Sequence, residues 1–206
     1  MTRQVSTPPV WFRLPPGFHD IGPEDRSALD SFAEALGGSD AQRELSQLIS
    51  GLEELAAHDV VHTAIGLHPE EPVGVATSFF SLTTRPAAQP NPRLTVARAG
   101  LGIARSPHWT SSTRRFIDLP SGLPCCLVAG TISVPNVEHR LFQARVATVP
   151  PDGLHLLVLD LTSASTQHAD AYTDILEAVT HTILFSDPEE STPKAVGTSR
   201  ILEVLL

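Results

Sequence analysis

The amino-acid sequence predicts an α+β fold, a mainly antiparallel β-sheet flanked by helices. Several extended apolar runs follow one another with only short turns between them, which is typical of hairpins in an antiparallel sheet. The helical patterns are segregated along the chain and do not alternate with single strands, which argues against a doubly wound parallel sheet. The composition, 41% hydrophobic and 18% charged over 206 residues, is that of a chain with a substantial core.

One domain accounts for the patterned part of the chain. Residues 8–186 carry the main helical and extended patterns, so we expect a single α+β domain there. Residues 1–7 are predicted to be a flexible N-terminus. Residues 187–206 are predicted to be a linker and C-terminal tail, in which 199–206 form either a short edge strand or a docked segment.

The N-terminal part predicts one strand and two helices. Residues 10–14 form a short apolar run that ends at a Pro-Pro-Gly breaker. A helix over residues 23–36 begins with a proline and two acidic residues. A second helix over residues 39–56 begins with a Ser-Asp-Ala-Gln capping box, and both helices carry apolar side chains at helical spacing.

A β-hairpin is predicted next. Residues 60–67 and 73–83 are extended runs separated by a Pro-Glu-Glu-Pro turn, and the second run is rich in β-branched and aromatic residues. Residues 85–92 contain three prolines and are predicted to be a loop.

A third helix is predicted over residues 93–105. Its apolar residues recur at helical spacing, although Gly100 and Gly102 lower its helix propensity. The polar segment 106–113, which contains Trp109, is predicted to be an exposed loop.

Up to four more strands and a long amphipathic helix complete the prediction. The strands are placed at residues 115–119, 124–134, 140–149 and 154–162. The last of these runs is nearly all apolar, which suits a central strand covered on both faces. The helix is predicted over residues 167–185, where the apolar stripe consists of Tyr172, Ile175, Leu176, Val179 and Ile183.

Charge and cysteine usage limit the partners and the compartment. The formal charge of −9 disfavours binding to nucleic acid or to anionic membrane lipid. The two cysteines, Cys125 and Cys126, are neighbours that would point to opposite faces of a strand, so a secreted disulfide scaffold is excluded. Because there is no apolar leader and no membrane-length apolar run, we expect a soluble, cytoplasmic protein without membrane insertion.

The two ends of the chain resemble PsbP-like domains. Residues 11–18, Trp-Phe-Arg-Leu-Pro-Pro-Gly-Phe, are similar to the opening of those domains, and residues 172–188 look like their last helix, which closes on a Ser/Thr-Ile/Leu-x-Phe-x-x-Pro type pattern. The resemblance extends in element order over residues 8–188. It implies an α/β/α sandwich that acts without catalysis, as an assembly factor, adaptor, secretion chaperone or ligand-binding lipoprotein. The chain is also similar to actinobacterial proteins of this length, some of them linked to specialised secretion loci.

Three histidines are the candidate metal ligands. His58 and His62 are four residues apart, a spacing at which a helix can present two imidazoles to one metal ion, and His68 would share the strand face of His62. The zincin pattern requires a glutamate after the first histidine, but Asp59 stands there. A purely structural pair is the favoured interpretation, and no metal or other cofactor is expected.

The sequence contains no recognisable catalytic motif. Cys125 and Cys126 lie in an apolar run, which is typical of buried, inert thiols. No Gly-x-Ser-x-Gly elbow, dinucleotide fingerprint or phosphate-binding loop is present. We therefore expect that the protein is not an enzyme.

The candidate partner-binding residues surround a basic doublet. Arg114 and Arg115, with Arg105 and Trp109 nearby, provide cationic and aromatic side chains of the kinds that dominate protein interfaces. The alternative is that they belong to a solvated loop.

Together these features favour a non-enzymatic adaptor or chaperone that binds another protein, linked to a bacterial secretion or assembly system and either monomeric or homodimeric. One alternative is an immunity protein that blocks a basic toxin through its acidic surface. The other is an enzyme or metal-binding protein that uses His58, His62 and His68.

Overall fold

A computed structural model describes residues 9–22, 25, 58–70, 74–134 and 139–186, and within them the chain forms one antiparallel sheet with two α-helices. This confirms the predicted α+β class. The strands are β1 Phe18–Asp20, β2 Val60–Glu70, β3 Gly74–Pro86, β4 Trp109–Asp118, β5 Pro124–Ile132, β6 Leu141–Thr148 and β7 His155–Ser163. The helices are α1 Pro92–Ala104 and α2 Ala169–His181. The helices predicted over residues 23–36 and 39–56 and the predicted tails 1–7 and 187–206 lie outside the described residues.

The seven strands are arranged in the order β1-β2-β3-β7-β6-β5-β4, and every neighbouring pair is antiparallel. The predicted hairpin is confirmed as β2 and β3. The predicted apolar strand near residue 155 is β7, which occupies the middle of the sheet. The outer strands of the described sheet are β1, with three residues, and β4, with ten.

The two helices lie on opposite faces of the sheet. The larger core lies between the sheet and α2, where Leu157, Leu159 and Leu161 of β7 pack with Leu176. Each of these leucines is fully buried and contributes on the order of 2 kcal/mol through the hydrophobic effect. A smaller core lies between the sheet and α1 and consists of Val96, Cys126, Val128 and Val149, with four partly buried neighbours.

The prediction of a strand at residues 10–14 is wrong. Only Trp11 makes a β-bridge in this segment, and it pairs with Leu184 beyond α2 through two 2.9 Å hydrogen bonds. The Arg13 N–H donates to Thr182 Oγ1 at 2.9 Å, so the segment follows the end of α2 and does not join the sheet. The sheet is entered only after the turn at Gly17, which has a φ of 94°.

The prediction of a loop at residues 106–113 is also wrong from Trp109 onward. This polar stretch begins β4, which pairs with β5 from Trp109 to Asp118 with one bulge after Trp109. Its low hydrophobicity reflects its position at the edge of the sheet, where eight of the ten residues are exposed. An edge strand needs no apolar side chains on its solvent side, so a polar run does not exclude a strand.

The helix predicted over residues 93–105 is confirmed as α1. Asn91 caps its first turn by accepting a hydrogen bond from the Leu94 N–H at 3.2 Å, and Pro92 occupies the first helical position. Gly100 is buried where the helix crosses β5: a Cβ there would overlap the Cys126 sulfur and lie 3.2 Å from the Cys126 Cβ. A Cβ at Gly102 would meet nothing within 4 Å.

The last helix is shorter than predicted. α2 ends at His181, where the Thr182 N–H turns back to Val179 O at 3.0 Å. The predicted apolar stripe still faces the sheet, since Tyr172, Leu176 and Val179 are buried. The next residues, up to Leu184, are used for the bridge to Trp11.

The two glycines of α1 should respond to alanine in opposite directions. We expect Gly100→Ala to destabilise the protein by about 1–2 kcal/mol, because overpacking against Cys126 outweighs the gain in helix propensity. Gly102→Ala should stabilise it by roughly 0.5–1 kcal/mol, because only the propensity term applies. Urea unfolding of both variants measures the difference.

Cys126→Ala provides the control for this pair. In that background Gly100→Ala should cost much less, because the sulfur that it overlaps is gone. An equal cost in both backgrounds would contradict the proposed contact.

Candidate partner-binding site

Strand β4 presents a free backbone edge. It is hydrogen-bonded to β5 on one side and has no second neighbour among the described strands. A bulge lies between Trp109 and Ser111, so regular pairing with β5 runs from Ser111 to Asp118. Gly130 makes room for the bulge, because a Cβ there would overlap the Ser111 carbonyl. Among the described residues, no strand pairs with the outer N–H and C=O groups of β4, and such groups can accept a further strand.

An apolar groove adjoins this edge. A cavity of about 650 Å³ lies between the first turns of α1 and the β4–β5 turn, and its lining includes Arg93, Ala97, Phe116, Asp118 and Leu123. It continues into a second hollow of about 600 Å³ past the N-terminus of α1. Phe116 projects from β4 on the α1 side of the sheet and is 61% exposed, an unusual position for a large aromatic side chain.

The structure separates the two arginines of the predicted doublet. Arg115 points to the α2 face, where its guanidinium makes a two-point ion pair with Glu177. Arg114 pairs in register with Val128 on the α1 face and lies close to Gly100 and Cys126. Only Arg114 therefore remains on the side of the groove.

Trp109 and Arg105 lie where α1 passes into β4. Trp109 is half-buried, and its Nε1–H donates to Ile103 O at 2.7 Å, so this side chain closes the end of α1. Arg105 is the exposed C-terminal cap of the helix. The predicted partner-binding residues therefore lie on or next to β4, and their role in binding stays a prediction; sequence analysis did not identify Phe116. The available signal was the pair Phe116-Ile117, because adjacent apolar residues on a strand cannot both face the same core.

The three candidate histidines do not converge on one point. His58 lines a cavity on the α1 face, whereas His62 lies on the α2 face against Phe12 and Phe80. A bulge between Val60 and His62 breaks the regular alternation of side chains at the start of β2, so His58 and His62 do not share a face of the sheet. His62 and His68 are six residues apart on β2, roughly 20 Å. Within the described ranges, no group of three potential metal ligands is found.

His68 has a structural environment. Its Nε2 lies 3.1 Å from Ser78 Oγ, and its ring contacts Phe18 and Tyr172. Burial, with a smaller contribution from the nearby His168, lowers the pKa of His68. The neutral imidazole is therefore the form present at pH 7, and it holds β2 against α2.

The two cysteines lie in the two separate cores. Cys125 belongs to the α2 side and Cys126 to the α1 side, as neighbours on a strand must. Burial raises the pKa of Cys125 to about 12, and burial also raises the pKa of Cys126. Neither thiol is poised to act as a nucleophile.

A buried polar cluster on the α1 face was not predicted. The Asp160 carboxylate, on the central strand, is ion-paired with Arg145 Nε and accepts hydrogen bonds from Gln143 Nε2 and Thr162 Oγ1 at 3.1 Å each. Burial raises the pKa of Asp160, although Arg145 and the hydrogen bonds oppose the shift. The cluster borders a cavity of about 300 Å³ that His58 and Arg85 also line.

Comparisons with known proteins give distant structural likeness only. No protein-family model matches the chain, and no curated protein is significantly similar to it. The crystal structure of LpqN, involved in cell envelope biogenesis of Mycobacterium tuberculosis, is 12% identical, with 88% of this chain and 85% of that chain covered and a TM-score of 0.49. The structure of PA94 from Pseudomonas aeruginosa, a protein of unknown function, is 15% identical over 60% and 83%, with a TM-score of 0.41.

Both likenesses are too distant to assign a function, and the resemblance to PsbP-like domains stays a prediction. No helix in the described part of the chain is long and apolar enough to cross a membrane.

Both thiols should be unreactive in the folded protein. At pH 8 a thiol with a pKa of about 12 is ionised in only about one molecule in ten thousand. We expect Ellman's reagent to label Cys125 and Cys126 at the rate of unfolding, and both at once in 6 M guanidinium chloride. Fast labelling of either thiol in the native protein would contradict this assignment.

The Asp160–Arg145 pair should behave as a coupled unit. Arg145→Met should destabilise the protein by about 1–2 kcal/mol at pH 7, because it leaves a largely buried carboxylate without its partly exposed cation. Arg145→Met/Asp160→Leu should recover most of this loss. Urea unfolding of these variants and of the unchanged protein measures the free energies of unfolding to be compared.

The loss of stability caused by Arg145→Met should also depend on pH. Because the folded-state pKa of Asp160 is raised above its unfolded value, the folded variant binds the proton first, and the destabilisation shrinks as pH falls from 7 towards 5. A loss that grows with acidity would contradict the raised pKa.

Proposed function

We propose that this protein is a non-enzymatic adaptor or chaperone that binds an extended segment of another polypeptide along β4. The observation that carries the proposal is the long, exposed edge of β4, which no other described strand pairs with and which lies beside a partly apolar groove. Addition of a strand to a sheet edge is a common mode of peptide recognition, in which backbone hydrogen bonds supply affinity and side-chain pockets supply specificity. The PsbP-like resemblance, with its assembly factors and secretion chaperones, supports the same role in a bacterial secretion or assembly system.

The groove supplies binding energy that backbone hydrogen bonds alone do not provide. Each backbone hydrogen bond contributes only about 0.5–1.5 kcal/mol net, and association costs at least roughly 4 kcal/mol in lost freedom. An apolar anchor is therefore needed for useful affinity. Phe116, which projects from the edge into solvent beside the cavity, can supply about 2 kcal/mol more when it is covered.

The chemistry of the described residues supports a role without catalysis. The two thiols are held in their protonated form by burial. The three candidate histidines lie on different faces or far apart along β2. Asp160, the most strongly buried carboxylate described, is engaged by three donors from its own sheet.

Site-specific crosslinking in cells tests the proposal. A photoreactive phenylalanine analogue placed at position 116 should trap a defined partner polypeptide, because this side chain lies at the proposed interface. Leu154 provides a matched control, since it is also 61% exposed but lies in the β6–β7 turn. Mass spectrometry of the adducts should locate the crosslink within one segment of the partner.

The same adducts from positions 116 and 154, or none from 116, would refute binding at this edge. Amide hydrogen exchange provides the geometric readout. In the free protein, alternate amides of β4 should exchange fast because they face outward, and the trapped partner should protect them.

A further inference from the structure

The segment that forms the site is basic within an acidic chain. Residues 92–118, which span α1 and β4, contain five arginines and a single acidic residue, Asp118, whereas the whole chain has a formal charge of −9. The five are Arg93, Arg98, Arg105, Arg114 and Arg115, and all of them are exposed. Positive side chains are therefore concentrated in the segment that forms the proposed interface, and Asp118 is the one acidic residue of this segment and also lines the groove.

Two of these arginines flank the groove. Arg93 lines the cavity together with Phe116. Arg114 is two residues before Phe116 on β4 and so projects from the same face, roughly 7 Å along the strand. Arg115, in contrast, is neutralised by Glu177 on the other face. Within the described residues, neither Arg93 nor Arg114 takes part in an ion pair.

We propose that the segment bound along β4 is acidic, with carboxylates opposite Arg114 and Arg93 and an apolar side chain between them against Phe116. This inference rests on the proposed function and specifies its partner. Opposite charges on adjacent strands stabilise pairing, and like charges destabilise it. The basic edge selects a partner by the sign of its charge, and the apolar groove beside it fixes the register.

The same charges argue against pairing between two copies of this chain. In an antiparallel β4–β4 pair centred on Arg114, this arginine would lie directly opposite its own counterpart in the other copy. Positively charged residues on an edge strand are a recurrent device against such self-association. The overall acidity of the chain, which suggests a basic partner, is thus misleading for this surface.

The test uses three fluorescent ten-residue peptides and the full chain. In the first peptide, glutamate and leucine alternate on one strand face and threonine fills the other; the second has glutamine for each glutamate, and the third has lysine. Fluorescence anisotropy at 50 mM salt should show at least ten-fold tighter binding of the acidic peptide than of the neutral one. The difference should shrink at 500 mM salt, because exposed charges are then screened.

Variants of the protein identify the side chains that produce the preference for the acidic peptide. Arg93→Gln/Arg114→Gln should weaken binding of the acidic peptide by roughly 4- to 25-fold, at about two- to five-fold for each exposed ion pair, and leave the neutral peptide unchanged. Arg140→Gln, an exposed arginine at the start of β6, is the matched control and should change nothing. Phe116→Ala should weaken binding of the acidic and neutral peptides alike.

The outcomes separate the two proposals. If Phe116→Ala weakens binding but charge on the peptide or at Arg93 and Arg114 has no effect, the acidic-partner inference fails and the proposed function stands. If no peptide binds and position 116 traps no partner, both fail. A concentration-dependent homodimer that Phe116→Ala abolishes would overturn the inference in favour of self-pairing.

Discussion

Strands β5 and β6 are covered by a helix on each face, and the arrangement of the neighbouring described elements follows from this burial on both sides. Side chains of alternating direction must fill two cores of unequal size, so Cys125 and Cys126 are placed in different cores although they are neighbours. On the α1 side the helix backbone comes so close to β5 that only glycine fits at position 100. This close approach also brings the first turns of α1 beside the end of β4 and so forms one wall of the candidate groove.

Much of the fold follows from periodicity and turn chemistry in the sequence. The β2–β3 hairpin, helix α1 and the central position of β7 are each determined by local patterns together with simple burial rules. Residues 10–14 and 109–113 were misassigned because their structure depends on distant partners. The first segment is apolar but pairs with the end of α2, and the second is polar but belongs to an edge strand. Hydrophobicity reports burial, and neither a docked segment nor a strand edge has the burial of an interior strand.

The candidate site was predictable only in part for the same reason. The arginine doublet could be identified from its composition, but its division between two faces required the register of β4 on β5. Phe116 and Asp160 were overlooked because each breaks the pattern of its strand. Phe116 is an exposed aromatic residue on an edge, and Asp160 is a buried carboxylate in a central apolar run. Such violations of local rules tend to mark positions whose role is not packing alone, and they become visible only when exposure and partners are known.

The bridge between Trp11 and Leu184 joins the two ends of the described fold, 173 residues apart in sequence, within one pair of hydrogen bonds. A domain whose ends lie next to each other can be joined at those ends and opened elsewhere without changing its fold. The domain is thus suited to insertion into a surface loop of a larger host protein, or to circular permutation with new ends opened at the exposed turn around Gly122. Both ends of the described fold would then be anchored to the host at a single point.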